Sequence, residues 1–271
     1  MLWMRDNIMI KNVMKNIFFK PWSIWKPIWN LQIKTKPLIL PISLFLISST
    51  YISVFYFLTN NFAEWRGYTL FDSSTIIDDK IPFIKDSIYI YSTWYFLFML
   101  VAISIPLNKK GLMESIYIYQ SLILIASFCF IIFILMPIKI DTRTGLDIGT
   151  GLEASLYELL YLADPPYNSW PSIHVSFSIF FCWTIIRGLK INQGIIRLPL
   201  SLKSNNLFKN IVIPAFFWTL GVLISISTMT TKQHYFFDFI TGIILGVSGI
   251  LLAKKCISNI ESEDDFETFY N

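Results

Sequence analysis

Three residues in the second half of the chain have the side chains and the spacing for nucleophilic chemistry. The chain has only two histidines, His174 and His234, and Asp238 follows the second by four positions. This spacing predicts that the imidazole and the carboxylate share one helix face, one turn apart. The carboxylate would hold one ring nitrogen and leave the other as a nucleophile. Both histidines also lie near the ends of charge-free stretches, where ionisable groups usually mark a site, so we predict these three as catalytic residues.

The residues before His174 predict an anion site. The run from 168 to 174 reads Asn-Ser-Trp-Pro-Ser-Ile-His. Asn168 or Ser169 can cap a helix, and Pro171 suits its first turn because the missing N–H is no loss there. A helix start presents unpaired N–H groups and the positive end of the dipole, to which Ser172 adds a hydroxyl. Phosphate is the natural ligand for such a site.

Three basic residues are predicted on the same side of the membrane as the histidines. Together with Ser172, the residues Lys139, Arg143 and Lys232 are therefore the predicted phosphate-binding set. An alternative makes the two histidines and the aspartate a metal site. The three cations would repel a metal ion and attract an anion, so no metal and no other cofactor is expected.

The stretches that carry these residues are long and apolar enough to cross a membrane. Of all residues 54% are apolar and 15% are charged, whereas soluble domains carry roughly 25% charged residues. A spanning helix needs about 20 apolar residues. Five intervals contain no charged residue and a sixth contains only Asp238: 37–63, 87–108, 115–138, 165–186, 210–231 and 233–253. The sequence thus predicts an all-α bundle of six transmembrane helices and excludes an ordinary soluble globule.

The distribution of basic residues predicts the orientation. Alternate sides of the six spans hold 16 and six Lys and Arg residues. Because cytoplasmic loops are the more basic, both termini are predicted to be cytoplasmic, and the loops 64–86 and 139–164 and position 232 face outward. The site would be periplasmic in a bacterium. The net charge of +4 indicates no nucleic-acid partner, since no basic run interleaved with aromatics lies outside the spans.

The segments are predicted as a basic N-terminal segment (1–36), a membrane domain (37–253, with its motifs in 137–238) and an acidic cytoplasmic tail (254–271). Three tryptophans at 22, 25 and 29 suggest an interfacial anchor, or a basic flank that only fixes topology. Apolar residues at helical spacing predict a surface helix over 152–163, which either roofs a site or only covers the span ends. Residues 64–86 are expected to be a polar connector.

Two short motifs resemble a known family. Pro171-Ser172-Ile173-His174, followed by Ser227, His234 and Asp238, resembles the second and third motifs of the type 2 phosphatidic acid phosphatase (PAP2) superfamily. The surrounding residues are most similar to the branch with inositol-phosphorylceramide synthases and related bacterial membrane proteins. Two positions depart from the family pattern. Thr228 stands where the third motif has Arg, and the first motif is degenerate around Arg143, which is followed by Thr and lacks the Lys seven residues before it.

The resemblance implies a PAP2-type fold and metal-independent phosphoryl transfer. His234 would attack phosphorus, Asp238 would orient it, and His174 would protonate the leaving oxygen. The implied substrate is a phosphorylated lipid, either a phospholipid or an isoprenyl phosphate, and the intermediate would pass to water or to another hydroxyl. The alternative from another class is a non-catalytic protein for lipid binding, transport or assembly that keeps a degenerate site. The oligomeric state is left open.

Overall fold

The computed structural model describes Met14, residues 16–34 and residues 38–262. The described chain is helical, with short 3₁₀ segments at Ser23–Trp25 and Asp78–Lys80 and a π-helical turn at Phe208–Val212. Its α-helices are α1 (Lys26–Lys34), α2 (Ile39–Arg66), α3 (Ser87–Ser92), α4 (Trp94–Ser104), α5 (Lys109–Leu135), α6 (Leu152–Ala163), α7 (Ile173–Ile191), α8 (Leu200–Lys203), α9 (Ile213–Thr230) and α10 (Phe236–Ser262).

Six helical segments of the described chain are long and apolar enough to span a membrane, which confirms the predicted all-α membrane fold. They are Ile39–Arg66, Ser87–Ser104, Lys109–Leu135, Ile173–Ile191, Phe208–Thr230 and Phe236–Ile260. The second consists of α3 and α4, which meet at Thr93. The charge-free interval of the fourth begins at 165, but its helix begins only at Ile173, because lack of charge does not make a helix and Pro165 and Pro166 interrupt the chain.

Helix α7 lies at the centre of the bundle. Of its spanning window 78% is buried, against 22% for the first span, and it packs against α4, α9 and α10. Polar and small side chains let these helices approach closely, as is common between membrane helices. The Ser176 hydroxyl donates to the Gly242 carbonyl at 3.0 Å. A Cβ at Gly242 would lie 2.8 Å from the Ser172 carbonyl oxygen and 2.9 Å from the Val175 Cβ.

This close approach makes a prediction about stability. We expect Gly242→Ala to destabilise the protein by about 1–3 kcal/mol, because the added methyl would meet the backbone of the α7 start and force the helices apart. Thermal unfolding of the purified protein in detergent measures the effect. Ser248→Ala, at an exposed position on the same helix, is the matched control, and equal stability of the two variants would contradict the prediction.

The tryptophans predicted as an interfacial anchor have a different environment. Trp25 and Trp29 are 1% and 2% exposed and pack in the main apolar core, while the Trp22 backbone N–H donates to Gln120 Oε1 at 3.0 Å. The two buried rings are therefore part of the protein interior. The rest of the predicted N-terminal segment (1–13, 15 and 35–36) and the tail residues 263–271 lie outside the described residues.

The loops at one end of the bundle pack more tightly than predicted. Helix α6 forms over the predicted residues, and its Tyr157 and Leu160 pack against Tyr91 in a small second core. Residues 64–86 are not a plain connector. The Ile84 N–H donates to the Thr230 carbonyl, and Asp78 is 7% exposed. The expectation was wrong because backbone hydrogen bonds and one buried carboxylate, which leave no hydropathy pattern, hold this loop against α9 and α10.

Candidate active site

His174 lies in the first turn of α7. The helix is capped by Ser172, whose hydroxyl oxygen accepts from the Val175 N–H at 3.3 Å. The prediction that Asn168 or Ser169 caps this helix is wrong, and Pro171 precedes the cap instead of lying in the first turn. The anion-binding interpretation of Ser172 stays a prediction, since this hydroxyl satisfies a helix N–H.

His234 lies in a turn between α9 and α10, so it does not share a helix face with Asp238 as predicted. The Thr228 carbonyl accepts the N–H groups of both Gln233 and His234, at 2.9 and 3.1 Å. Lys232 adopts φ 58°, the left-handed conformation that reverses the chain. The turn, rather than a helix, therefore presents the imidazole.

The two imidazoles meet although 60 residues separate them. His234 Nε2 lies 3.5 Å from His174 Nδ1, and the ring centroids are 5.7 Å apart. The residues are 5% and 7% exposed. The structure thus brings together the two histidines that the sequence singled out, with His234 Nε2 facing His174 Nδ1.

Asp238 lies behind His234, on the ring nitrogen away from His174. Its Oδ2 is 3.6 Å from His234 Nδ1 and accepts from the Tyr235 N–H at 2.9 Å. The side chain is fully buried, and neither Oδ1 nor His234 Nδ1 has a hydrogen-bond partner among the described residues. The Asp238 carbonyl also accepts from the Ser172 N–H at 3.2 Å, which joins the starts of α7 and α10. The carboxylate can therefore stabilise positive charge on the His234 ring.

The contact between the rings restricts how a phosphoryl group can bind. In-line attack needs about 3–3.5 Å between nucleophile and phosphorus and about 2.6–3.2 Å between the acid and the leaving oxygen. Both distances cannot fit between nitrogens that are 3.5 Å apart. A phosphoryl group between the histidines would therefore have to separate the rings.

The predicted phosphate-binding cations have other partners in this structure. Arg143 Nη1 donates to the Asp164 carbonyl at 2.6 Å, and its guanidinium lies 5.3 Å from the Tyr161 ring centroid. No described residue accepts a hydrogen bond from its buried Nε. Lys232 Nζ donates to the Ile81 carbonyl at 2.6 Å. Of the three predicted cations, Arg143 is therefore the one whose buried Nε–H is available to a further acceptor.

Lys139 is more exposed than Arg143 and forms an ion pair with Asp141 at 3.0 Å. The hydrogen bond to this carboxylate raises the pKa of Lys139 above its usual value. The ammonium therefore stays charged near neutral pH. It would have to leave Asp141 to bind a substrate phosphate.

Thr228 occupies the position where the third motif has Arg. Its side chain is fully buried, and its hydroxyl donates to the Ser225 carbonyl at 2.8 Å. The preceding Ser227 hydroxyl likewise donates to the Ile224 carbonyl. Both side chains thus bond to the backbone of α9, and neither replaces a guanidinium.

Sequence reasoning missed Tyr91 and Trp94, which contact His174 from the second span. The Tyr91 hydroxyl lies 2.9 Å from His174 Nε2, and Trp94 Nε1 donates to the His174 carbonyl at 3.2 Å. No local pattern marks these residues, because both lie in an apolar stretch of a chain with 13 Tyr and nine Trp. Only the fold brings them to the site.

A cavity of about 400 Å³ lies beside His174. Its wall is mostly aromatic and aliphatic and comes from α2, α3, α4, α6 and α7, with Asp164 and three tyrosines as polar groups. Leu160 and Leu162 of α6 contribute to this wall, so α6 is part of the pocket as the roof alternative predicts. The cavity therefore provides an apolar space next to His174, one member of the histidine pair.

The positions of the three side chains give no support to the metal-site alternative. Among residues 14, 16–34 and 38–262, no group of three or more His, Cys, Asp or Glu side chains is arranged to hold a metal ion. The two histidines contact each other, and Asp238 lies on the far side of one ring. A single ion cannot reach all three from these positions.

One comparison with known proteins gives a match. The family model described as PAP2 superfamily matches residues 125–262, a little over half of the chain. The matched region includes both histidines and Asp238 and leaves out Tyr91 and Trp94. No curated protein and no solved structure matches the chain.

Proposed function

The chain belongs to the PAP2 superfamily, and from this we propose that it is an integral membrane phosphatase or phosphotransferase that acts on phosphorylated lipids. The observation that carries the proposal is the 3.5 Å contact between His234 Nε2 and His174 Nδ1 with Asp238 behind the first ring. A nucleophile, its orienting carboxylate and a general acid are the groups that phosphoryl transfer through a covalent intermediate needs.

The proposed reaction has two steps. His234 Nε2 attacks phosphorus and forms an N–P bond while the bond from phosphorus to the leaving oxygen breaks. His174 Nδ1 gives its proton to that oxygen, and Asp238 stabilises the charge on the phosphorylated ring. In the second step water or another hydroxyl loses its proton to His174 and attacks phosphorus, which releases phosphate or a new phosphoester and restores His234.

The developing charge on phosphorus needs fixed donors and cations. We assign Arg143 the main role, because its buried Nε has no other acceptor within the part of the chain that the structure describes. Ser172 and the N–H groups at the start of α7 would bind the phosphoryl oxygens near His174. Lys139 and Lys232 would contribute only after exchanging their present contacts with Asp141 and the Ile81 carbonyl.

The cavity beside His174 supports a lipid substrate. His174 would protonate the leaving oxygen, so the organic part of the leaving group lies on its side of the phosphorus. That side holds the apolar cavity, whose wall includes the exposed side chains of Phe57, Tyr95 and Leu162. These residues belong to or adjoin spanning helices, so the cavity would open toward the bilayer. A hydrocarbon chain fits such a space better than a soluble group does.

The site lies at the end of the bundle that holds the loops 64–86 and 139–164. The excess of basic residues on the opposite side supports an outward-facing site with both termini in the cytoplasm. In a bacterium this face would be periplasmic.

A second candidate is a non-catalytic lipid-binding, transport or assembly protein with a degenerate site. It is favoured by Thr228 in place of the third-motif Arg and by the other partners of Lys139 and Lys232. Such a protein would bind phosphorylated lipids without turning them over, which separates it from the enzyme in one assay.

We predict that the purified protein turns over at least one phosphorylated lipid without a metal ion. The panel contains phosphatidic acid, an isoprenyl pyrophosphate, phosphatidylglycerol phosphate and a mixture of ceramide and phosphoinositide. Full activity is expected in EDTA, and inhibition by vanadate, because the histidine pair supplies both nucleophile and acid. Released phosphate indicates a phosphatase, and a new phospholipid indicates a transferase. Loss of activity in EDTA, or binding without turnover, would contradict the proposal.

A further inference from the structure

Tyr91 forms the closest polar contact to the ring of His174. Its hydroxyl lies 2.9 Å from His174 Nε2, the nitrogen that faces away from His234, and the two rings pack with centroids 5.1 Å apart. Tyr91 is 2% exposed. It belongs to α3, outside the region that the family model matches.

We propose that Tyr91 is a positioning residue, which holds His174 with Nδ1 toward His234 and thereby makes this histidine the general acid. The proposal rests on the proposed function, because it describes how one step of that reaction is supported. It concerns only the acid and base roles of His174. Tyr91 does not contact His234 and takes no part in the attack on phosphorus.

The chemistry of a hydroxyl suits this role. A tyrosine O–H can both donate and accept a hydrogen bond, so it can pair with His174 Nε2 in either protonation state. When the ring is protonated, Nε2–H donates to the Tyr91 oxygen and Nδ1–H is the proton given away. After the transfer Nε2–H remains bound to Tyr91, and Nδ1 keeps the lone pair that serves as base in the second step.

The surroundings leave this hydroxyl as the polar anchor of the His174 ring. Trp94 packs against the ring with centroids 5.0 Å apart, but its indole N–H donates to the His174 carbonyl. The Ser178 hydroxyl also donates to that carbonyl. Both contacts fix the backbone rather than a ring nitrogen. On the ring itself, Nε2 contacts Tyr91 and Nδ1 contacts His234.

The test compares two substrates that differ in how much they need an acid. The leaving group of a lipid phosphomonoester is an alkoxide, which needs protonation. The leaving group of p-nitrophenyl phosphate is a phenolate that is stable without it. We expect Tyr91→Phe to lower kcat/KM for the lipid ester by about 10-fold to 100-fold, the effect of one hydrogen bond to a charged group. For p-nitrophenyl phosphate the variant should remain close to wild type.

Control variants separate positioning from packing. Tyr89→Phe removes a hydroxyl from the same helix, at a position that is 39% exposed and outside the cavity wall, and should leave both substrates unaffected. His174→Ala should show the same selective loss as Tyr91→Phe, but larger. Tyr91→Leu also removes the hydroxyl but has a side chain of different shape. It must show the same loss on the lipid ester alone, so that one poorly folded variant does not decide the result.

Each outcome bears on a different proposal. Equal loss on both substrates by the Tyr91 variants would assign the residue a structural role and overturn the inference. No loss on either substrate, with His174→Ala impaired, would overturn it as well. If His174→Ala and His234→Ala both retain wild-type turnover, the proposed function itself fails.

Discussion

Replacement of His234 by alanine is expected to abolish turnover of every phosphorylated lipid, with a loss of roughly 1,000-fold or more. The variant lacks the nitrogen that would form the N–P bond, and the remaining imidazole, His174, is bound by Tyr91 and does not have Asp238 behind it. The measurement is phosphate release by purified protein in detergent. Brief incubation with a ³²P-labelled substrate and alkaline quenching should label the wild type and leave the variant unlabelled.

His234→Gln serves as a second variant, because it keeps a polar side chain of similar reach without a ring nucleophile. Both variants should unfold at temperatures close to that of the wild type, since the turn is held by the backbone contacts to Thr228. Retention of more than a small part of the activity, or a label on the alanine variant, would show that another group attacks phosphorus.

Asp238→Asn is expected to reduce kcat by about 10²–10⁴-fold with little change in KM, a range typical of the loss of general acid–base support. The amide oxygen can still accept from the Tyr235 N–H, so the start of α10 is retained. It cannot stabilise the positive charge that develops on His234, whose Nδ1 lies 3.6 Å from the carboxylate. Steady-state kinetics on the best lipid substrate measure both constants.

Asp78→Asn is the matched control for this variant. Asp78 is also a buried aspartate, and it lies in loop 64–86. Its Oδ1 accepts from the Phe236 N–H at the start of α10 at 2.7 Å, but it does not contact either histidine. Its replacement should lower the unfolding temperature and leave kcat close to that of the wild type. Equal kinetic losses in both variants would show that Asp238 only maintains the helix start.

The sequence predicts the spans and the catalytic trio for the same physical reason. A charge inside a membrane segment is costly, so Asp238 and the two histidines stand out in a chain with few ionisable residues near its helix ends. The six spanning helices and the convergence of the histidines follow these expectations. The PAP2 resemblance is confirmed over residues 125–262, whereas the closer branch stays a prediction.

The parts of the site that sequence reasoning missed depend on contacts between distant segments. Tyr91 is one aromatic residue among many in an apolar span, and its contact with His174 forms only where α3 meets the start of α7. The helix around His174 begins at Ile173 rather than directly after Asn168 or Ser169, because Ser172 provides the cap. The contacts of Lys232 with loop 64–86 are to backbone carbonyls, and no side-chain pattern encodes these.

The contact between the two imidazoles has a consequence for selectivity among phosphates. His234 Nε2 faces His174 Nδ1, so its lone pair is shielded. A ligand that binds between the rings must use part of its binding free energy to separate the two nitrogens. A molecule with a long hydrocarbon anchor gains that affinity from the neighbouring apolar wall. Under the proposed function we therefore expect the closed pair to favour phosphates that carry a hydrocarbon chain over small aqueous phosphates, which gain no affinity from that wall.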